Sequence, residues 1–106
     1  MAVPEIDVDE LAARLAAGGA QLFDVRNPNE YEAGHVPGAH LVPLPDVPDR
    51  VDEFPTSGEV LLICGSGPRS ERAAEFLRAN GVDAVNVVGG TRAWIDHGHP
   101  VETGAA

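Results

Sequence analysis

The apolar and polar positions change period several times along the chain, and each change marks an element. The stretch "EIDVDELAARLAAGGA" reads as a short lead-in strand followed by a helix. Val8, Leu11, Ala12 and Leu15 fall on one helical face, and Gly18-Gly19 stops it. Asp7 stands at the N-cap, with Glu10 three residues on as the partner of a capping box. "QLFDV" is a short apolar strand ending at Val25. Asn27 then caps a short helix with Pro28 in its first turn and Glu30 at the capping-box position, and Gly34 closes it. "HVPGAH" is turn-rich, and "LVPL" predicts another short strand. The proline-rich, charged "PDVPDRVDEFPTSG" predicts a short helix and a loop ending at Gly58.

The strongest strand is "EVLLIC", apolar on both faces as a central parallel strand must be when helices cover each side. "RSERAAEFLRANG" predicts a helix whose buried face takes Ala73, Phe76 and Leu77 and whose stop is Asn80-Gly81. "DAVNVV" is the next strand, and "GGTRAWIDHGHP" a closing helix broken at Gly98 with Trp94 on its core face. Strand and helix alternate throughout, so the fold class is α/β with a parallel sheet covered on both faces. The 106 residues predict one domain, 1–106, with a core over about 4–101 and 102–106 as a loose tail.

Composition narrows the partners. Net charge is −10, and all seven basic residues are Arg. Phosphate binding rests on clustered positive charge, so nucleic acid is not expected as a partner, nor is an anionic membrane surface. The apolar runs are too short to span a bilayer. The start lacks a basic segment leading into an apolar one, and a lone thiol suits a reducing compartment, so the expected location is the cytoplasm.

That lone thiol, Cys64, ends the central strand and opens the turn Gly65-Ser66-Gly67, with a helix behind it. Ligands in open parallel sheets sit at the carboxyl ends of strands, which is where this places Cys64. Successive turn amides curl into an anion-binding nest, and the helix adds the positive end of its dipole. Both favour thiolate over thiol. Such a thiolate can attack phosphorus or sulfane sulfur; the bland alternative is a packed core thiol. No second cysteine exists to resolve a mixed disulfide, which opposes dithiol redox chemistry. Four residues, Gly65, Ser66, Gly67 and Pro68, separate Cys64 from Arg69. The loop of protein-tyrosine phosphatases is one residue longer. The shorter loop makes a narrower bowl, suited to one sulfur atom and crowded for a tetrahedral phosphoryl group.

Three segments together carry a family resemblance. "LFDVRNPNEYEAGHVPGAHLVPL", the loop "CGSGPRS" and "VVGGTRAWIDHGHPV" resemble, in this order, the amino-terminal signature, active-site loop and carboxyl-terminal signature of single-domain rhodaneses. The resemblance covers nearly the whole chain. It implies a rhodanese-like three-layer fold with a central parallel sheet of about five strands flanked by helices on both faces. It implies a sulfurtransferase in which Cys64 takes sulfane sulfur from a donor such as thiosulfate and passes it to cyanide, a thiol or a sulfur-acceptor protein. Gly65, Ser66, Gly67, Pro68, Arg69 and Ser70 would form the loop that cradles the sulfur, and no cofactor is implied. Gly65 departs from the longer side chain common at its position. Pro68 brings no amide hydrogen, and a proline pushes the preceding Gly67 toward extended backbone. The competing readings are a cysteine phosphatase or arsenate reductase, and a non-enzymatic sulfur-relay or partner-binding module.

Other candidates have a functional and a structural reading. Arg69 either faces the anion or organises the loop, against a surface ion pair with Glu71 or Glu75. Asp24 and Arg26 end a strand beside the site as supporting residues. They either grip an anionic donor or, the favoured reading, tie the loop through hydrogen bonds and ion pairs with Glu30. His97 and His99 are close in sequence, but no carboxylate or cysteine stands at ligand spacing, so no metal is expected. His35 reads as a structural histidine, since a thiolate needs no base. The span 64–78 holds three Arg against two Glu in an otherwise acidic chain, so the site is a local exception in the field.

Overall fold

The computed structural model describes residues 3–105. The elements run β1 (Glu5–Ile6), α1 (Val8–Ala17), β2 (Gln21–Asp24), α2 (Pro28–Ala33), β3 (His40–Leu41), two 3-10 turns (Leu44–Asp46 and Pro48–Glu53), β4 (Glu59–Ile63), α3 (Pro68–Ala79), β5 (Asp83–Val87) and α4 (Gly90–Asp96). The strands form one sheet in the order β1-β5-β4-β2-β3, and every pair is parallel. β4 lies at the centre, as its apolar run predicts: Val60, Leu61, Leu62 and Ile63 are all buried.

Alternation along the strands divides the core. Phe23, Val25, Val60, Leu62 and Cys64 face one layer, made of Ala73, Ala74 and Leu77 of α3 with Val47 and Phe54 of the 3-10 segment. Leu22, Leu61, Ile63, Val85 and Val87 face the other, made of Val8 and Leu11 of α1, Tyr31 of α2 and Trp94 of α4. The parity of Val60 and Leu62 therefore carries Cys64 toward α3. No described helix is long and apolar enough to cross a membrane.

Some local expectations shift. Asp7 caps α1 by accepting the Glu10 N–H at 2.8 Å, but the Glu10 carboxylate turns to Arg14, one turn on, at 3.1 Å. An ion pair at this spacing replaces the second half of the expected capping box. "LVPL" contributes only Leu41 to a strand; Val42 and Leu44 still donate to the Asp24 and Val25 carbonyls at 2.9 and 3.0 Å, with Pro43 between them at the sheet edge, where no donor is needed. Phe76 is not core: it is 36% exposed. The buried face of α3 is Ser70, Ala73, Ala74 and Leu77, and Phe76 lies roughly 110° round from its centre. The loose tail is also corrected for the described residues. His35 and Glu102 exchange backbone hydrogen bonds at 2.9 and 2.8 Å, and Gly104 donates to the Glu32 carbonyl at 2.8 Å. Ala106 lies outside the described residues.

Candidate active site

The carboxyl end of β4 delivers Cys64 into a loop that closes around its sulfur. Cys64 is fully buried. The Gly67 N–H donates to Sγ at 3.0 Å, and the Ser70 hydroxyl lies 3.3 Å from it. Burial pushes the thiol up, but the Ser70 hydroxyl and the backbone N–H groups of Ser70, Gly67 and Ser66 outweigh it and hold Cys64 below the ordinary thiol range. Of the turn Gly65-Ser66-Gly67 expected to form the nest, Gly67 makes the amide hydrogen bond to Sγ.

Gly67 corrects the extended backbone expected before a proline. Its φ is +122° and ψ −32°. Without a Cβ it reaches this region freely, and the turn aims its N–H at Sγ. Pro68 is the first residue of α3. There a missing N–H removes a donor that has no partner within the helix, and its fixed φ suits the turn.

Arg69 does not pair with Glu71 or Glu75. Its Nη1 and Nη2 donate to the two carboxylate oxygens of Glu30 at 2.7 and 3.0 Å. This two-pronged bond, the largest effect, outweighs burial and holds the Glu30 carboxyl at about 2, helped by the Asn27 N–H. The same pair raises Arg69. Arg69 therefore organises the loop by fastening it to α2. The absence of a side chain at position 65 has a use here: a Cβ on Gly65 would stand 3.1 Å from Arg69 Nη2. The arginine passes through space that a longer residue would fill.

Asp24 and Arg26 pair with each other and not with Glu30. Arg26 Nε and Nη2 donate to the Asp24 carboxylate at 3.0 and 2.8 Å, and Nη2 also donates to the Gly34 carbonyl at 2.8 Å. Both residues are buried. Val25 donates to the Ile63 carbonyl at 3.0 Å, which sets this pair beside the end of β4. His35 is structural as expected, stacked on Tyr31 at 3.6 Å between ring centres with Nδ1 2.7 Å from the Tyr31 carbonyl.

Residues not singled out from the sequence complete the site. Asn86 Oδ1 lies 2.5 Å from the Ser70 hydroxyl, which also lies 3.0 Å from the Gly67 carbonyl. The first turn of α4 grips the loop from the other side. Thr91 N–H and Oγ1 donate to the Cys64 carbonyl at 2.8 and 3.0 Å, and Arg92 N–H donates to the Gly65 carbonyl at 3.0 Å. Gly90 permits this approach, since a Cβ there would meet the Cys64 carbonyl oxygen at 2.5 Å. The doubled glycine in "VVGG" was the available signal. Beyond the loop opens a groove of about 400 Å³ lined by Arg26, Gly65, Ser66, Thr91, Arg92 and Ile95. Among the described residues, Arg92 makes no side-chain ion pair. His97 and His99 both reach Asp9 in space, at 3.1 and 2.9 Å.

Known proteins resemble this chain in sequence and fold. The model of the rhodanese-like domain family matches residues 7–97. A protein of Allochromatium vinosum named sulfurtransferase is 39% identical over 101 residues, covering 93% of this chain and 94% of its own. The uncharacterized Bacillus subtilis protein YqhL is 46% identical over 76 residues, covering 71% of this chain; the match spans 60% of that protein's length. The crystal structure of a rhodanese-like domain protein from Staphylococcus aureus superposes with a TM-score of 0.88 at 38% identity, covering 97% of this chain and 100% of that one. The strand order, the thiol loop and these matches agree: the chain belongs to the rhodanese-like domain family.

Proposed function

We propose that the protein is a sulfurtransferase that moves sulfane sulfur from a thiosulfate-type donor to a thiophilic acceptor through a persulfide on Cys64. The observation that carries this reading is the hydrogen-bonded setting of Cys64 Sγ, which lowers the thiol pKa despite complete burial. In the first half-reaction the thiolate attacks the outer sulfur of thiosulfate. The Sγ–S bond forms, the S–S bond of the donor breaks, and its electron pair leaves with sulfite. The terminal persulfide sulfur carries the negative charge and takes over the loop amides. In the second half-reaction an acceptor nucleophile, cyanide in assay or a thiol or protein in cells, attacks that sulfur and returns Cys64 to thiolate. No net oxidation or proton transfer is required, and the two steps give ping-pong kinetics.

Arg92, which has no carboxylate partner among the described residues, borders the groove beside the loop and brings positive charge to the approach of an anion in a chain of net charge −10, whereas the charge of Arg26 is matched by Asp24. The engagement of both terminal nitrogens of Arg69 by Glu30 supports sulfur over phosphorus. A phosphatase needs that guanidinium to bind the oxygens of the phosphoryl group.

The test is a screen of sulfane donors read by intact mass. Thiosulfate should add one sulfur atom to the wild type and none to Cys64→Ser, and cyanide should remove it as thiocyanate. A persulfide formed from a protein desulfurase but not from thiosulfate would make the domain a sulfur relay. Phosphate-ester hydrolysis lost in Cys64→Ser would replace the reading with a phosphatase.

A further inference from the structure

At the end of α4 remote from Cys64, three side chains with metal-ligating atoms converge from opposite ends of the chain. Asp9 lies in the first turn of α1, and His97 and His99 follow α4. His97 Nδ1 is 3.1 Å and His99 Nε2 2.9 Å from the same carboxylate oxygen, Asp9 Oδ1. One ligand atom from each residue falls within a sphere of contact no wider than 4.8 Å. We propose that Asp9, His97 and His99 form a site for a zinc-type divalent cation that clasps the start of α1 to the end of α4.

The spacing is close to what such an ion requires. Bonds of roughly 2.0–2.2 Å at tetrahedral angles set neighbouring ligand atoms about 3.4 Å apart. Relative to Asp9 Oδ1 each imidazole nitrogen need move outward by only a few tenths of an ångström, and the ligand atoms already lie within 4.8 Å of one another. Asp9 and His97 are exposed, so they are free to adjust around the half-buried His99, and solvent can supply a fourth ligand.

The backbone that carries the ligands is already fixed. His97 N–H donates to the Ala93 carbonyl at 2.9 Å and His99 N–H to the Trp94 carbonyl at 3.1 Å. Trp94 Nε1 donates to the Pro100 carbonyl at 2.7 Å, and the His99 ring packs on the Trp94 ring with centres 4.5 Å apart. On the other side, Asp7 caps the turn that holds Asp9. The entropy of ordering these segments is spent in folding, which favours a ligand set assembled from distant residues.

Proton bookkeeping is simple. The nitrogens that face Asp9, Nδ1 of His97 and Nε2 of His99, can bind an ion only without a proton on them. On metal binding, any proton held between ring and carboxylate passes to the other ring nitrogen or to solvent, and the freed lone pair binds the ion. Two imidazoles and one carboxylate suit zinc and its neighbours. They do not suit magnesium or calcium, which take oxygen ligands.

Zinc sulfate is the probe, titrated calorimetrically into Cys64→Ser protein so that the thiol cannot compete. One ion should bind per chain, and saturating zinc should raise Tm by roughly 4 °C or more. Magnesium and calcium should do neither. Asp9→Asn, His97→Gln and His99→Gln should each weaken zinc binding by about tenfold or more. Their metal-free melting curves report whether each variant folds. Absence of stoichiometric zinc binding, or binding undiminished in all three folded variants, overturns the assignment.

Discussion

Arg69 and Glu30, 39 residues apart in sequence, meet through two parallel hydrogen bonds of 2.7 and 3.0 Å, and this pair fastens the thiol loop to α2. Glu30 is held at about 2 in the folded chain against an ordinary value of 4.5. A depressed carboxyl pKa adds stability that is fully present above the ordinary value and lost as pH falls through the folded one. Both side chains are about a third exposed, so solvent screening limits the contribution to about 1 kcal/mol. Glu30→Gln should cost that amount at pH 7 in urea denaturation. The gap from wild type should close as pH falls from 4.5 toward 2. A gap that persists unchanged at pH 2 would show that the charge on Glu30 is not its source.

Ser70 is the hydrogen-bonding residue that lowers the Cys64 thiol most. Ser70→Ala removes the hydroxyl whose oxygen lies 3.3 Å from Sγ and leaves the Gly67 N–H in place. The midpoint of the pH–rate profile for alkylation by iodoacetamide should rise, and the rate at neutral pH should fall. An unmoved midpoint would assign the thiolate to the backbone amides alone.

Two glycines with positive φ separate close approach from backbone conformation. Gly90 has φ +60°, and its absent Cβ makes room for the Cys64 carbonyl at 2.5 Å. Gly98 has φ +80° with nothing within 4 Å. Gly98→Ala should cost only the left-handed backbone penalty, roughly 1–2 kcal/mol. Gly90→Ala adds a backbone clash and should cost roughly 3 kcal/mol or more. It should also slow sulfur transfer, because relief of the clash displaces Cys64 or Gly65. Equal costs for the two variants in urea denaturation would remove the case for close packing of α4 on the loop.

Pro68 at the first position of α3 lacks a donor that the helix does not use. Pro68→Ala should react with thiosulfate at the wild-type rate and lose roughly 0.4–1 kcal/mol through a more flexible unfolded chain. A faster variant would show that the restored N–H reaches the sulfur.

The parts of this structure legible in the sequence are those set by local pattern. The apolar run of β4, the helical face of Ala73 and Leu77, and the glycine turn after Cys64 place the thiol at the carboxyl end of a central strand. Phe76 departs from the sequence expectation because one apolar residue beside a helical face resembles one on it; the angle is set by which neighbours pack. Arg69 organises the loop, as in one of its sequence readings, but its partner, and that of Asp24 and Arg26, cannot be read from the sequence because ion pairs are chosen in space. Glu30 is far from Arg69 in sequence, and the guanidinium crosses the room left by Gly65 to reach it. Asp9 lies 88 residues from His97, so no ligand spacing could reveal their meeting.

The central claim is that Cys64 carries the transferred sulfur. Its most direct test is the intact mass of the protein after incubation with thiosulfate and removal of the donor. The expected result is a gain of one sulfur atom, localised to Cys64, reversed by cyanide with release of thiocyanate and absent from Cys64→Ser. No gain with any sulfane donor, or a gain that survives in Cys64→Ser, would contradict it.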